Sequence, residues 1–412
     1  IRSVFKKVVW LDKKINKATL QVSALGYYEA YINNQRVGKF IFAPGWTVYG
    51  KRIQYQTYDV TDLMEECNTI DIALGNGRRY HGNPHENYKS ITCREEALVA
   101  ALFIEYEDGT EEFVPTDVSW ECAKSNIIYS HVYNGETVDF TANTEETFSV
   151  KVLEDVNSDI LVPQEGEETR EMARLAAVEL IKTPKGETVI DFGQNLTGYV
   201  EWIVPGEKGK KFTLQHAEVL DKDGNFYIDN LRSAKAEVSV ISDGTQRKFK
   251  PTFSYQGFRY IKLIGFDEKD VDLENFVAVV VFSDMKRTGF FACGNDLVQQ
   301  LYENIIWGQR GNFLDIPTDC NQRDERFGWT GDIQVFSRTA TINYHADKFL
   351  KKWLHDLALD QRANGEFTDI CPDIHNWQSC GSSAWADAGV VVPYWVYRTY
   401  GDTQVIKDQF ES

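Results

Sequence analysis

Apolar and polar residues alternate along the first two thirds of the chain. Leu20, Val22 and Ala24 share one side of an extended segment, Tyr28, Ala30 and Ile32 repeat the pattern, and Asn33-Asn34 supplies a hairpin turn before the return from Gln35 to Val37. Ile70, Ile72 and Leu74 alternate into Gly75-Asn76-Gly77. The run from Ala97 to Tyr106 meets Asp108-Gly109 and returns through Glu111 to Val114, while Phe212, Leu214 and His216 lead into a turn from Asp221 to Gly224. A period of two broken by turn residues predicts antiparallel sheets from residue 1 to about residue 285. The acidic, polar stretch around 156–172 predicts a boundary that separates a β-sandwich over 1–158 from a second β-domain over 159–286.

Near residue 290 the period lengthens to that of a helix. Asn295 is a good N-cap, and Leu297, Val298, Leu301, Tyr302, Ile305 and Ile306 form one apolar stripe behind it. Phe349, Leu350, Trp353, Leu354 and Leu357 form a second stripe, with Asp347 near its start and Gly365 after its end. Ala384 to Tyr400 reads as a third, more fully buried helix interrupted by Pro393. The expectation is two antiparallel β-domains followed by a helical region over 287–412.

Composition narrows the function classes. A chain of 412 residues exceeds what one core accommodates. Its net charge of −18 opposes nucleic acid and anionic membranes, both of which need a basic surface. No stretch reaches the roughly 20 apolar residues of a membrane span. The aromatic share of 13% suits stacking on pyranose rings and equally suits β-sheets. Seven scattered cysteines without a CxxC pair read as reduced thiols and lean towards a reducing, cytoplasmic compartment. The chain opens at Ile1 without a signal-like segment, which leaves periplasm and secretion open. Neither a metal nor a cofactor is expected, because no His/Cys group has zinc spacing.

Candidate chemistry concentrates in IPTDCNQRDERFGWTGD, from Ile316 to Asp332. Asp319, Asp324, Glu325 and Asp332 stand among Arg323, Arg326 and Trp329, with Ile316, Cys320 and Phe327 interleaved. Apolar neighbours place the carboxylates in partly dry surroundings, where an acid can keep its proton at neutral pH. A buried ion-pair network is the competing account.

This string resembles the signature of the bacterial and fungal α-L-rhamnosidases, inverting glycoside hydrolases whose catalytic domain is an (α/α)6 barrel. Other segments carry the same resemblance in the same order. Gly26 to Gly38, Ala43 to Thr61 and Tyr133 to Asp139 look like the family's N-terminal β-sandwich. Asp191 to Val200, His216 to Gly224, Asn230 to Ala234 and Phe253 to Leu263 look like its jelly-roll, concanavalin-like β-domain. Asn321, Asn34, Arg78 and Ala386 depart from the usual Pro, Gly, aromatic residue and Gly, and none of these changes removes a carboxylate.

The resemblance implies hydrolysis of terminal α-L-rhamnosides, with Glu325 as proton donor and the general base on a later hairpin, beyond residue 412. It implies that Asp319 and Asp332 line the sugar pocket, that Asp373, Trp377 and Trp385 belong to the next active-site loop, and that Asp387 meets sugar hydroxyls, a helix-dipole role being the alternative. Trp329 is expected against the apolar face of a 6-deoxy sugar or as plain core. Arg323 is expected to hold a neighbouring carboxylate ionised while Glu325 stays protonated, and His375 is expected on a surface loop. About 125 residues follow Arg287, room for about four or five of twelve barrel helices, so uncovered apolar helix faces and little activity of the chain alone are expected. The partner is then a rhamnose-containing glycoside. A carbohydrate-binding module without catalysis, or a barrel hydrolase acting on another sugar, are the alternatives.

Overall fold

A computed structural model describes residues 3–78, 97–154, 157–374 and 380–412. Two sheets built largely from the N-terminal third face each other. One has six strands in the order Thr147–Ser149, Glu121–Lys124, Ser3–Trp10, Cys67–Gly75, Tyr27–Ile32 and Gln35–Arg36, and the other has five in the order Leu161–Pro163, Ile53–Asp59, Ile15–Leu25, Ala97–Tyr106 and Glu111–Pro115. The alternating residues meet between them: Leu20, Val22, Tyr28, Ala30, Ile32, Ile70, Ile72 and Leu74 form one buried core. Asn33 and Asn34 both take positive φ at the predicted hairpin, as a tight two-residue turn requires.

The second β-domain is a ten-stranded sheet organised on the long strand Thr188–Val204, which pairs with four neighbours. Its register shifts between Asp191 and Leu196 against Gln256–Ile264. Two features depart from the expected purely antiparallel, sequentially divided arrangement. Gly135–Asp139 pairs in parallel with Glu237–Ile241, and Leu161–Pro163 pairs in parallel with Ile53–Asp59. Ile127–His131 and Gly135–Asp139 therefore lie in the second sheet although they precede the acidic stretch. The long intervening chain supplies the crossover that parallel pairing needs, which a hairpin signal cannot encode.

Among the described residues five α-helices follow: α1 (Asp296–Asn312), α2 (Thr330–Asn343), α3 (Asp347–Asp360), α4 (Ala388–Tyr400) and α5 (Thr403–Asp408). Asn295 caps α1, its side chain accepting from the N–H groups of Leu297 and Val298. The α2 helix was not anticipated, because its pattern runs against burial: Val335 and Ile342 are exposed while Ser337, Thr341 and Asn343 are buried. The α4 helix is less buried than its composition predicts, with Val390, Tyr394 and Tyr397 open to solvent. Leu297 and Leu301 of α1 are exposed as well, so the apolar helix faces expected to be uncovered are uncovered. Among the described residues no helix is long and apolar enough to cross a membrane.

Helical and β regions are joined through buried charge. Arg52, from the N-terminal sandwich, holds Asp356 of α3 at 2.9 Å and Glu165 at 2.6 Å. Lys352, one turn before Asp356, reaches Asp315 at 3.1 Å and donates to the Trp46 carbonyl. Both cations are almost wholly buried, so their partners must satisfy them. Arg52→Ala is expected to lower stability by about 3 kcal/mol, because it strands buried carboxylate. A fall in the urea midpoint followed by tryptophan fluorescence checks this.

Candidate active site

The acidic loop leaves α1 through the short hairpin Phe313–Leu314 and Ile316–Pro317 and enters α2 at Thr330. Its ends are closed by backbone pairing: Asp319 N–H donates to the Phe327 carbonyl at 3.0 Å, and the Asp319 carboxylate accepts from Phe327 N–H, also at 3.0 Å. Asp319 is thus first a brace for its own loop. Arg326, at positive φ and fully buried, pins the loop's centre to the second β-domain. It donates to the carbonyls of Val132 at 2.9 Å and Tyr255 at 2.8 Å and to Gln256 Oε1 at 2.9 Å. Tyr133 adds a hydrogen bond to the Glu325 carbonyl at 2.7 Å.

Held at its backbone, Glu325 is also held at both carboxylate oxygens. The Trp329 indole N–H donates to Oε1 at 2.9 Å. Arg323 Nε lies 2.9 Å from Oε2 and Arg232 Nη2 lies 3.0 Å from it. Arg323 also stands 3.6 Å from Asp319, so it bridges two carboxylates instead of sparing Glu325 as expected. The side chain of Glu325 is only 15% exposed, in a dry setting that strengthens each of these contacts. Burial, with the Glu325 carboxyl group close by, raises the Asp319 carboxyl above its usual range, and the same two causes raise Asp332.

A cavity of about 610 Å³ opens beside this cluster, lined by Asp319, Asp332, Phe336 and Trp385 together with Gln309 and Asn312 of α1. Asp319 belongs both to its wall and to the Glu325 cluster. Trp385 packs flat on Gly331, where a Cβ would come within 2.7 Å of the indole. Only a glycine at 331 lets the ring approach the start of α2 so closely.

The remaining expected residues divide. Trp329 serves Glu325 through its N–H, a hydrogen-bonding role that neither stacking nor plain core packing anticipated. Asp387 stands at the N-terminus of α4 and accepts from Ala384 N–H at 3.0 Å, bracing the Trp385 turn. Asp373 is buried against Arg362, one loop away from Glu325. Its segment still belongs to the site's framework, because Cys371 N–H donates to the Gly328 carbonyl and Thr330 N–H to that of Asp369. Trp377 and His375 lie outside the described residues. Arg232 escaped the reading of the motif, since nothing in a local pattern links it to a glutamate 93 positions further on.

Asp319, Cys320 and Glu325 present ligand atoms within 4.8 Å of one another. Arg323 already occupies that space, and burial pushes the Cys320 thiol up to about 12, which keeps it protonated and a poor ligand. Among the described residues, six cysteines are unbridged thiols.

Two β-domains thus back an acidic loop that joins the first two helices of a helical region. The chain belongs to the bacterial α-L-rhamnosidase family. Its residues 13–170 match the family's N-terminal domain, 181–282 its concanavalin-like domain, and 286–412 its six-hairpin glycosidase domain. An α-L-rhamnosidase from Streptomyces avermitilis is 38% identical over 97% of the chain, which corresponds to 40% of that protein. The crystal structure of an Aspergillus terreus α-L-rhamnosidase superposes with a TM-score of 0.93 at 36% identity, covering 100% of the chain and 49% of that structure. A Streptomyces avermitilis α-L-rhamnosidase solved with L-rhamnose gives 0.92 at 35% identity, covering 100% and 41%. The chain therefore spans less than half the length of these relatives.

Behind the loop, burial pushes the Asp360 carboxyl up to about 7, against the Asp373 N–H that donates to it at 2.7 Å. An unfolded aspartate titrates near ~3.9, so the folded chain holds an extra proton between about pH 4 and about pH 7. Stability contributed at this site is full below that window and falls as pH rises through it. Asp360→Asn is expected to abolish that decline, which urea midpoints of both proteins across the window would reveal.

Proposed function

We propose that the protein carrying this chain hydrolyses terminal α-L-rhamnosides with inversion of the anomeric centre, Glu325 donating a proton to the leaving oxygen. The supporting observation is the setting of Glu325: its carboxyl group is fixed at both oxygens, in a cluster whose Asp319 also lines the cavity of about 610 Å³. A relative 35% identical to the chain was crystallised with L-rhamnose, which favours that sugar for the cavity. In this reading Asp319 and Asp332 accept from sugar hydroxyls, Trp385 offers its exposed face to the ring, and Arg323 holds Asp319 and Glu325 apart.

Inversion needs a second carboxylate on the opposite face of the sugar, roughly 6.5–9.5 Å from the acid, to activate water. That base is assigned to a later hairpin, beyond Ser412. A rhamnose-containing glycoside or oligosaccharide is then the substrate, and the two β-domains act as walls and supports.

In the full reading frame, Glu325→Gln is expected to lower kcat on a terminal α-L-rhamnoside with a sugar leaving group by about 10²–10⁴ while L-rhamnose still binds. Unaltered turnover in that variant would remove Glu325 from its role. Cleavage restricted to glucosides or mannosides would remove rhamnose, and sugar binding without any turnover of the unmutated protein would favour a binding module.

A further inference from the structure

Glu325 shares its Oε2 with a residue from another domain, and this arrangement assigns work to that residue. Arg232 lies in the second β-domain, just after the turn Asp229–Leu231, with φ of 57°. An arginine at positive φ is strained, so surrounding contacts must hold it in place. Those contacts are specific. Arg232 Nε lies 2.5 Å from Asp324 Oδ1, and its Nη2 donates to the Asp324 carbonyl at 3.2 Å and to Glu325 Oε2 at 3.0 Å. Ser233 adds its hydroxyl and its N–H to the other oxygen of Asp324. The Asp324 side chain is fully buried, whereas Arg232 is 43% exposed. Asp324 therefore acts as the anchor, and the guanidinium is a fixed arm reaching from it to the glutamate.

We infer that Arg232 is a positioning residue for proton donation, contributed by the second β-domain. The inference rests on the reading of Glu325 as the acid. In that step the proton passes from the Glu325 carboxyl to the glycosidic oxygen as the bond from that oxygen to the anomeric carbon breaks, its electron pair staying with the leaving oxygen. Water forms the new bond to the carbon and loses its proton to the base. Negative charge thus grows on the Glu325 carboxylate as the transition state is reached. A guanidinium 3.0 Å from Oε2 interacts more strongly with that growing charge than with the neutral acid, so its contribution falls on the barrier. Trp329 keeps Oε1 in place, and Arg323 supports Oε2 from within the loop itself. Arg232 differs from both in origin: it makes acid strength depend on the seating of the β-domain against the loop.

A leaving group that is already a stable anion needs little protonation, whereas a sugar or alkyl alcohol needs nearly all of it. Assistance to the acid therefore shows as a dependence on the leaving group, while a general loosening of the pocket penalises all substrates alike. The test compares Arg232→Met, Arg232→Lys and Glu325→Gln in the full reading frame, on dinitrophenyl and methyl α-L-rhamnosides, with thermal melting as a check on folding. Arg232→Met is expected to lose about tenfold or more in kcat on the methyl glycoside and less than about threefold on the dinitrophenyl one, with KM little moved, and Arg232→Lys to recover part of the loss. Equal losses on both substrates, or no loss on either, would overturn the inference and leave Arg232 as an interdomain latch. Should Glu325→Gln itself lose equally on both, the assignment of the acid fails. Should Glu325→Gln discriminate and Arg232→Met not, only the role of Arg232 fails.

Discussion

The arrangement around Glu325 depends on one buried guanidinium, that of Arg326. It has no access to solvent, and its Nη1 and Nη2 groups donate to carbonyl and amide oxygens of the second β-domain and to the Gln322 carbonyl of its own loop. A charge so placed is tolerable only while those acceptors surround it, which makes its geometry close to obligatory. Since Arg326 immediately follows Glu325 in the chain, fixing one fixes the other. The loop is thereby a rigid extension of the sheet as much as a connection between helices.

Charge is used throughout to join parts that hydrophobic packing alone would leave free to slide. Arg52 and Lys352 lock the N-terminal sandwich to α3, Arg326 locks the second β-domain to the acidic loop, and Arg232 reaches the glutamate itself. Directional contacts of this kind set orientation, where burial of apolar surface sets only proximity. The crowding of acids that results is visible in Asp319 and Asp332, both raised by burial with the Glu325 carboxyl group close by.

The helical region stands in contrast to the β-domains. Its inner side is well packed, with Phe349, Leu350, Trp353, Leu354 and Leu357 fully buried in one cluster. Its outer side leaves Leu297, Val335 and Val390 open. The cavity beside Asp319 lies among these helices: Ile305 of α1 and Ile333, Val335 and Phe336 of α2 give it apolar wall, Gln309 and Asn312 of α1 add amides, and its carboxylates are Asp319 of the loop and Asp332 at the start of α2. Apolar wall with a few placed polar groups is the usual make-up of a small-molecule pocket.

Local physics in the sequence already determined a good deal. Alternation placed Leu20, Val22, Ile70 and Ile72 inside a sandwich, Asn33-Asn34 made its turn, Asn295 capped α1, and the stripe from Phe349 to Leu357 became the buried side of α3. These follow from contacts between near neighbours, which a short window of residues contains. The acidic loop could be singled out as well, because charged and apolar residues interleave there as neither a core nor a surface would have them. What only the tertiary structure decided is which partner each charge finds. Arg323 spans two carboxylates, Trp329 spends its N–H on Glu325, Asp373 turns to Arg362, and Arg232 arrives from another domain. Parallel pairing of Gly135–Asp139 with Glu237–Ile241 and the inverted burial of α2 were hidden too, since both depend on which elements pack against them. The contacts of Arg232 and of the parallel strands join residues far apart in the chain and leave no period in it, whereas those of Arg323, Trp329 and Asp373 lie within 11 positions of their partners and depend on a loop shape that only the closed domains impose.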